Sequence, residues 1–337
     1  MYRFYRVCFN QWISFSKGRT LFISAFPRAS NNSSNGIDTI RPRRAILYVP
    51  GHDRKKIDKL NTLKVDCAVL DCEDGVAANK KIEARKVITE IAESFDFGKT
   101  EFAVRINSID SGLAEDDLIS VLNFKKYPDT LMVPKIESTD HISWIKDKMK
   151  SHFKCTNDSK KLNLVFFVES AKSLLDLRQI CEKAIDLSKI GPFRFEGLVF
   201  GSDDFCADIG AIRSEDATEL LTARQLFVLV AKSFKVQAID MVHINYKDLP
   251  GLLKSCEEGA RMGFTGKQVI HPSQVPVVQK AFSPSAEKVE WARELVKLFE
   301  EHQKEGKGAF TFRGAMIDKP LLLQAEYIIK MSEQLDD

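Results

Sequence analysis

No apolar stretch of this chain approaches the roughly 20 residues that a membrane-crossing helix requires, which excludes a membrane span. Its seven cysteines form no CxxC pair and no metal-finger spacing, and its six histidines do not cluster with them. A zinc site is therefore not expected, and the six cysteines beyond residue 37 read as free thiols that mainly fill the core. No GxGxxG follows an early strand, which argues against an open, doubly wound dinucleotide-binding sheet. Acid is missing in one place only: no Asp or Glu precedes Asp38.

That acid-free segment carries Arg3, Arg6, Lys17, Arg19 and Arg28 among many serines, while Gln11, Ser14, Ser16 and Lys17 interrupt any apolar core. Arg-rich, Ser-rich and acid-poor describes a mitochondrial transit peptide rather than a secretory signal. Residues 1–37 are read as that peptide with its NNSSNG linker, and the expected destination is the mitochondrial matrix. Removing them takes five of the 50 basic groups and none of the 47 acidic ones, so the net charge passes from +3 to about −2. Nothing in the remainder points to nucleic acid.

What is present beyond Arg44 is alternation. Short β-rich runs occur at 45–50, 67–72, 101–106, 130–136, 164–169, 197–202, 236–244 and 267–271. Amphipathic segments lie between them, such as KKIEARKVITEIAESF and SLLDLRQICEKAIDL, and Asp53 stands ready to cap the segment that follows it. Successive strand starts lie about one βα unit apart, and eight such units predict an α/β fold, a (β/α)8 TIM barrel over residues 38–284. A C-terminal helical extension, 285–337, follows: a periodic helix to 304, a Gly-rich loop, a short extended piece and a last helix from about Lys319.

In such a barrel, chemistry gathers where strands end. The fifth and sixth strands are buried-type runs, LVFFVE and GLVFGS, that stop on acid at Glu169 and at Asp203-Asp204. Paired carboxylates at a barrel rim suit a hard cation such as Mg²⁺, which takes oxygen ligands and keeps several waters. The second strand runs into Asp71, Glu73 and Asp74, three acids that demand cations nearby. The third ends on Arg105, to be read either as a structural partner of those acids or as a contact for a substrate oxyanion. Lys55 and Lys59, spaced four apart after the first strand, either meet phosphates or form a solvated basic face. The eighth strand ends Ile270-His271, a ligand-pocket candidate, although a lone histidine is often structural. A hard-cation site, an arginine and lysines placed for an anion together suit enolate chemistry on an oxo-acid.

Read in order, RAILYVPG (44–51), VLDCEDGV (69–76) with Lys81 and Ala84-Arg85, VRIN (104–107), VPKIE (133–137), FFVES (166–170), LVFGSDDFCADIG (198–210), Ala223-Arg224 and GFTGKQVIHPSQ (263–274) resemble the citrate lyase β-subunit-like family, whose members include malyl-CoA and citramalyl-CoA lyases. The likeness runs from residue 43 to about 325. It implies a homotrimer, an Mg²⁺ cofactor held by Glu169 and Asp204, and an acyl-CoA thioester with a small oxo-acid, pyruvate or glyoxylate, as reactants. It further implies that Arg105 contacts substrate oxygens and that Tyr48, Lys55, Lys59, Ile270 and His271 bind the acyl-CoA. Asp318, in GAMIDKP, matches an acid that related enzymes supply from a neighbouring subunit's tail. The implied reaction is a reversible Claisen-type cleavage, such as (3S)-citramalyl-CoA to acetyl-CoA and pyruvate, with malyl-CoA chemistry and thioester hydrolysis as side activities. The choice of Asp204 over Asp203 as ligand rests on this likeness alone. A CoA-independent pyruvate aldolase and a silent CoA-binding regulator stand as rivals.

Overall fold

The computed structural model describes residues 41–152, 161–304 and 310–336; the expected transit peptide lies outside them. Eight strands close into one parallel barrel in chain order: β1 (Ala45–Pro50), β2 (Cys67–Asp71), β3 (Glu101–Arg105), β4 (Thr130–Val133), β5 (Leu162–Val168), β6 (Phe193–Phe200), β7 (Gln237–Asp240) and β8 (Gly266–Val269), which returns to pair with β1. All eight expected strands are present. The fourth and seventh are shorter than their apolar runs, and the sixth starts four residues earlier, at Phe193.

Side chains alternate across each strand, and the two faces build two cores. Ile46, Cys67, Val69, Ala103, Met132, Val165, Phe167, Val199 and Ile239 fill the barrel interior. Their neighbours, such as Leu47, Leu70, Val104, Leu131, Phe166 and Leu198, face outward into the layer packed by the surrounding helices. Continuous apolar strands follow from this, because both faces are covered.

The N-terminal mouth of the barrel is closed by Arg43. Its guanidinium makes two 2.7 Å bonds to Glu101 and reaches Thr130 and Gln237, all buried. Between the wall and the outer helices, Asp240 accepts from Arg224 at 2.8 and 3.0 Å and from Lys267 at 3.2 Å, with all three side chains almost wholly inaccessible.

Beyond the barrel, the helix Ala286–Lys304 is followed by a two-stranded hairpin, β9 (Phe310–Phe312) and β10 (Ala315–Ile317), and by the helix Lys319–Asp336. The hairpin turns through Arg313 and Gly314, both at positive φ. This extension has a core of its own, in which Leu295, Phe299, Ile317 and Ala325 are buried.

Candidate active site

Strand alternation decides what the C-terminal mouth presents. Continuing the inward series carries β2 to Asp71, β3 to Arg105 and β5 to Glu169. Asp71 and Arg105 are partners in the β2–β3 register. Their side chains meet in a two-point pair, Nε to Oδ1 and Nη2 to Oδ2, each 2.7 Å. Burial would raise the Asp71 carboxyl; the Arg105 charge and the backbone N–H groups of Glu73 and Gly75 hold it below the usual carboxylate range. Beneath the guanidinium lie the rings of Tyr48 and Phe167, 5.1 and 5.7 Å from its carbon. Tyr48 is thus a residue of the barrel interior.

Arg105 also reaches Glu73 at 2.7 Å through Nη1, so it is a partner of the second-strand acids. The loop carrying Glu73 is held by Lys81, whose ammonium donates to the carbonyls of Cys72 and Glu73 and to Asn107 at 2.7–2.8 Å. Burial, with Asp74 alongside, pushes the Glu73 carboxyl up to about 7 against the pull of Arg105 and Lys135.

Lys135 lies just past β4, in the VPKIE motif. Its neighbour Glu137 faces Lys172, and the Lys135 ammonium lies 2.7 Å from Glu73, 3.6 Å from Asp204 and 3.8 Å from Asp74. Its backbone sits at φ 51°, and its N–H donates to Glu169 Oε2 at 2.9 Å. Burial would lower this ammonium, but Glu73, Glu169 and Asp74 hold it above the usual lysine range.

Glu169 is 6% exposed. Burial first, then the charges of Glu73 and Asp204, push its carboxyl up to about 8, although Lys135 and Arg105 oppose the shift. Gly201 makes room for it: a Cβ there would stand 2.6 Å from Glu169 Oε1. Asp204 stands beyond the sixth strand, which was expected over 197–202. It lies in the first turn of the helix Ser202–Ile209, because the strand stops at Phe200 and the chain turns through Gly201. The neighbouring acid is committed elsewhere. Asp203 pairs at 2.9 Å with Arg213, which also grips the Ser202 hydroxyl and the Val242 carbonyl. Asp204, rather than Asp203, therefore faces the Glu169–Lys135 cluster.

The donor set suits a hard cation. The candidate ligand atoms here are carboxylate oxygens, with no histidine or cysteine among them, and the described residues hold no group of three or more His, Cys, Asp or Glu arranged as a ready-made metal cage. Two protein carboxylates, one pushed toward its neutral form first by burial and then by the charges of Glu73 and Asp204, match a cation that fills its remaining positions with water and substrate. Glu169 and Asp204 would hold it.

The other expected binding residues lie in the loops and the tail. Lys55 and Lys59 are exposed after β1 but do not share one helical run: the helix Arg54–Asp58, capped by Asp53 as expected, gives way to a 3-10 turn at Lys59. Ile270 and His271 follow β8, with both backbone N–H groups on Gln274 Oε1 at 2.9 and 3.2 Å. The His271 ring stacks on Tyr246 at 4.6 Å, so this histidine has structural partners and one open face on the rim. Asp318 begins the last helix, its carbonyl accepting from Leu322 N at 3.1 Å. Its partners lie within the extension, not with Arg105 or Glu169.

The HpcH/HpaI aldolase/citrate lyase family model matches residues 44–272, most of the described chain. The chain belongs to that family. Among curated relatives of this lyase, the mitochondrial citramalyl-CoA lyase of Homo sapiens is 51% identical, covering 92% of this chain and 91% of its own. A (3S)-malyl-CoA thioesterase of Cereibacter sphaeroides is 28% identical over 87% and 96%. Among solved structures, Mycobacterium tuberculosis CitE in complex with magnesium, acetoacetate and coenzyme A aligns with a TM-score of 0.69 and 28% identity, covering 87% of this lyase and 98% of that chain.

Two site residues escaped sequence reasoning. Lys135 had a signal, a lysine directly after a strand-ending proline, but its partners are 62 and 69 residues away. Arg213 had none; it lies in a loop, and only the folded chain shows that it joins Ser202 and Asp203 to Met241 and Val242 just past β7.

Proposed function

We propose that this lyase is a Mg²⁺-dependent acyl-CoA lyase that cleaves (3S)-citramalyl-CoA reversibly to acetyl-CoA and pyruvate in the mitochondrial matrix. The observation that carries the reading is the buried Glu169 carboxylate set among Asp204, Lys135 and Arg105 at the barrel mouth. The 51% identity over 92% of the chain to the mitochondrial citramalyl-CoA lyase of Homo sapiens, and the magnesium and coenzyme A in the CitE structure, support the substrate class, the cation and the compartment.

Cleavage removes a proton from the tertiary hydroxyl, breaks the adjacent carbon–carbon bond and leaves pyruvate with the enolate of acetyl-CoA, which takes a proton at carbon. Bound Mg²⁺ supplies a Lewis acid that orients and polarises the oxo-acid carbonyl. Arg105, held rigid by Asp71 and Glu73, turns its remaining donors toward the enolate oxygen, where preorganised charge is most effective. Tyr48, under the guanidinium, contacts the acyl end rather than the nucleotide. Lys55, Lys59, Ile270 and His271 sit on the rim where the CoA moiety crosses it. Asp318 returns the proton to the acetyl carbon, and in synthesis removes it. Because its own chain keeps Asp318 within the extension, it is presented to the barrel of a neighbouring subunit of a homotrimer. Thioester hydrolysis is a secondary activity, supported by the likeness to malyl-CoA thioesterases.

The test is acetyl-CoA release from citramalyl-CoA with Mg²⁺ and with EDTA. Release that needs Mg²⁺ upholds the reading, and cleavage of free citramalate without CoA would favour the aldolase alternative. Light scattering at three times the subunit mass checks the trimer.

A further inference from the structure

Among the described residues, Lys135 is the one cation that touches the acidic cluster through both its backbone and its side chain. A lysine at φ 51° is in the left-handed region, which a non-glycine residue enters at a cost and which is found preferentially at functional sites. The bend has two results. It aims the N–H at Glu169 Oε2, 2.9 Å away, and it folds the side chain back so that the ammonium lies 2.7 Å from Glu73 and 3.6 Å from Asp204. A simple ion pair with Glu73 would need only the side chain, and an extended backbone would satisfy it.

Resting on the assignment of Glu169 and Asp204 as metal ligands, we propose that Lys135 is a positioning residue that serves as a resident counter-ion: it keeps these carboxylates in register without a metal, and its positive charge weakens the hold of the site on a divalent cation. Like charges at such spacing repel strongly in a partly desolvated site, so the cation binds against the ammonium, which swings toward Glu73 and solvent as it binds. With its side chain 35% exposed, the lysine has room to do so. The consequence is a metal that exchanges readily and is held most firmly once an oxo-acid adds its own oxygens.

The experiment uses the full chain, without substrate, in three variants beside the wild type. Lys135→Met removes the charge while keeping an unbranched side chain one atom shorter, Lys135→Gly removes charge and backbone strain together, and Lys135→Arg keeps the charge. Mn²⁺ binding is measured by electron paramagnetic resonance, Mg²⁺ binding by calorimetry, and thermal unfolding is followed with EDTA and with saturating Mg²⁺. Lys135→Met and Lys135→Gly should bind the cations about tenfold more tightly than wild type. Lys135→Met should melt earlier in EDTA and recover in saturating Mg²⁺, and Lys135→Arg should bind like wild type. Unchanged or weaker cation binding by both uncharged variants overturns the proposal. Glu169→Gln separates the two readings: if it abolishes wild-type binding while the uncharged Lys135 variants gain nothing, only the counter-ion role falls. If wild type and Glu169→Gln bind no cation, the metal assignment falls and the counter-ion role with it.

Discussion

Asp71 and Arg105 stand opposite each other in the register of two neighbouring strands and close a two-point ion pair, 2.7 Å on each arm, inside the barrel mouth. A planar fork matches a carboxylate in a way an ammonium cannot. Arg105→Lys should therefore lose about 3 kcal/mol of stability, as expected when a buried pair is broken, and about 10²–10³ in kcat. Denaturant unfolding and steady-state kinetics on the same preparation check both. Wild-type turnover would show that Arg105 serves the fold alone.

The acidic cluster should make stability depend on pH in an unusual direction. Glu169 titrates near 8 in the folded chain against an ordinary value of 4.5, and Glu73 near 7. A raised folded value means that the protonated form is favoured by folding. The stability it contributes is complete below about 4.5 and is lost as pH rises through 7 to 8. In EDTA the melting temperature should therefore drop between about pH 4.5 and pH 8 and level off above that. Mg²⁺ competes with protons for the same oxygens, so its affinity should rise across that interval. Glu169→Gln should flatten most of the slope in EDTA, and an unaltered slope would place the titration elsewhere.

Gly201 is the position where the smallest change should reach the site. A methyl group there meets the Glu169 side chain, with Oε1 only 2.6 Å from the new carbon. Gly201→Ala should cost about 1–3 kcal/mol by overpacking and displace the carboxylate. The Mg²⁺-induced rise in melting temperature should shrink more than the fold does, and a full wild-type response would show that Glu169 is free to move aside.

Asp318 can be separated into its two roles. Its carboxylate accepts from Leu321 N at 3.5 Å at the start of the last helix, so Asp318→Ala should lose no more than about 1 kcal/mol, while Asp318→Asn keeps the cap. Both should lose nearly all turnover if the carboxylate moves the proton. Retained activity in the Asn variant would assign Asp318 to the helix only.

Buried charge away from the mouth gives a contrasting case. Asp240 is shared by Arg224 and Lys267 with no solvent access. Asp240→Ala strands two cations and should destabilise by about 3–5 kcal/mol. Cation affinity, measured well below the melting temperature, should stay at the wild-type value.

Much of this was legible in the chain itself, because the signals are local. Apolar runs spaced about one βα unit apart name eight strands and hence the barrel, and their ends place Asp71, Arg105 and Glu169 at one mouth. The period of two even sets which residues point inward, since Val69 and Asp71, or Phe167 and Glu169, differ by one repeat. What the chain could not show is who meets whom once the barrel closes. Arg105 turned out to serve Asp71 and Glu73 together, Asp203 was taken by Arg213, and Lys135 came to lie between Glu73 and Asp204, 62 and 69 residues away on opposite sides in sequence. Such partners are chosen by the curvature and register of the closed sheet and by the bends at Lys135 and Gly201, properties that belong to the assembled barrel and leave no period in the sequence. The two rim acids, Glu169 and Asp204, show both sides. Their presence at the rim follows from two apolar runs, but their convergence needs the strand to stop at Phe200 and a helix to begin, so that Asp204 arrives on its first turn.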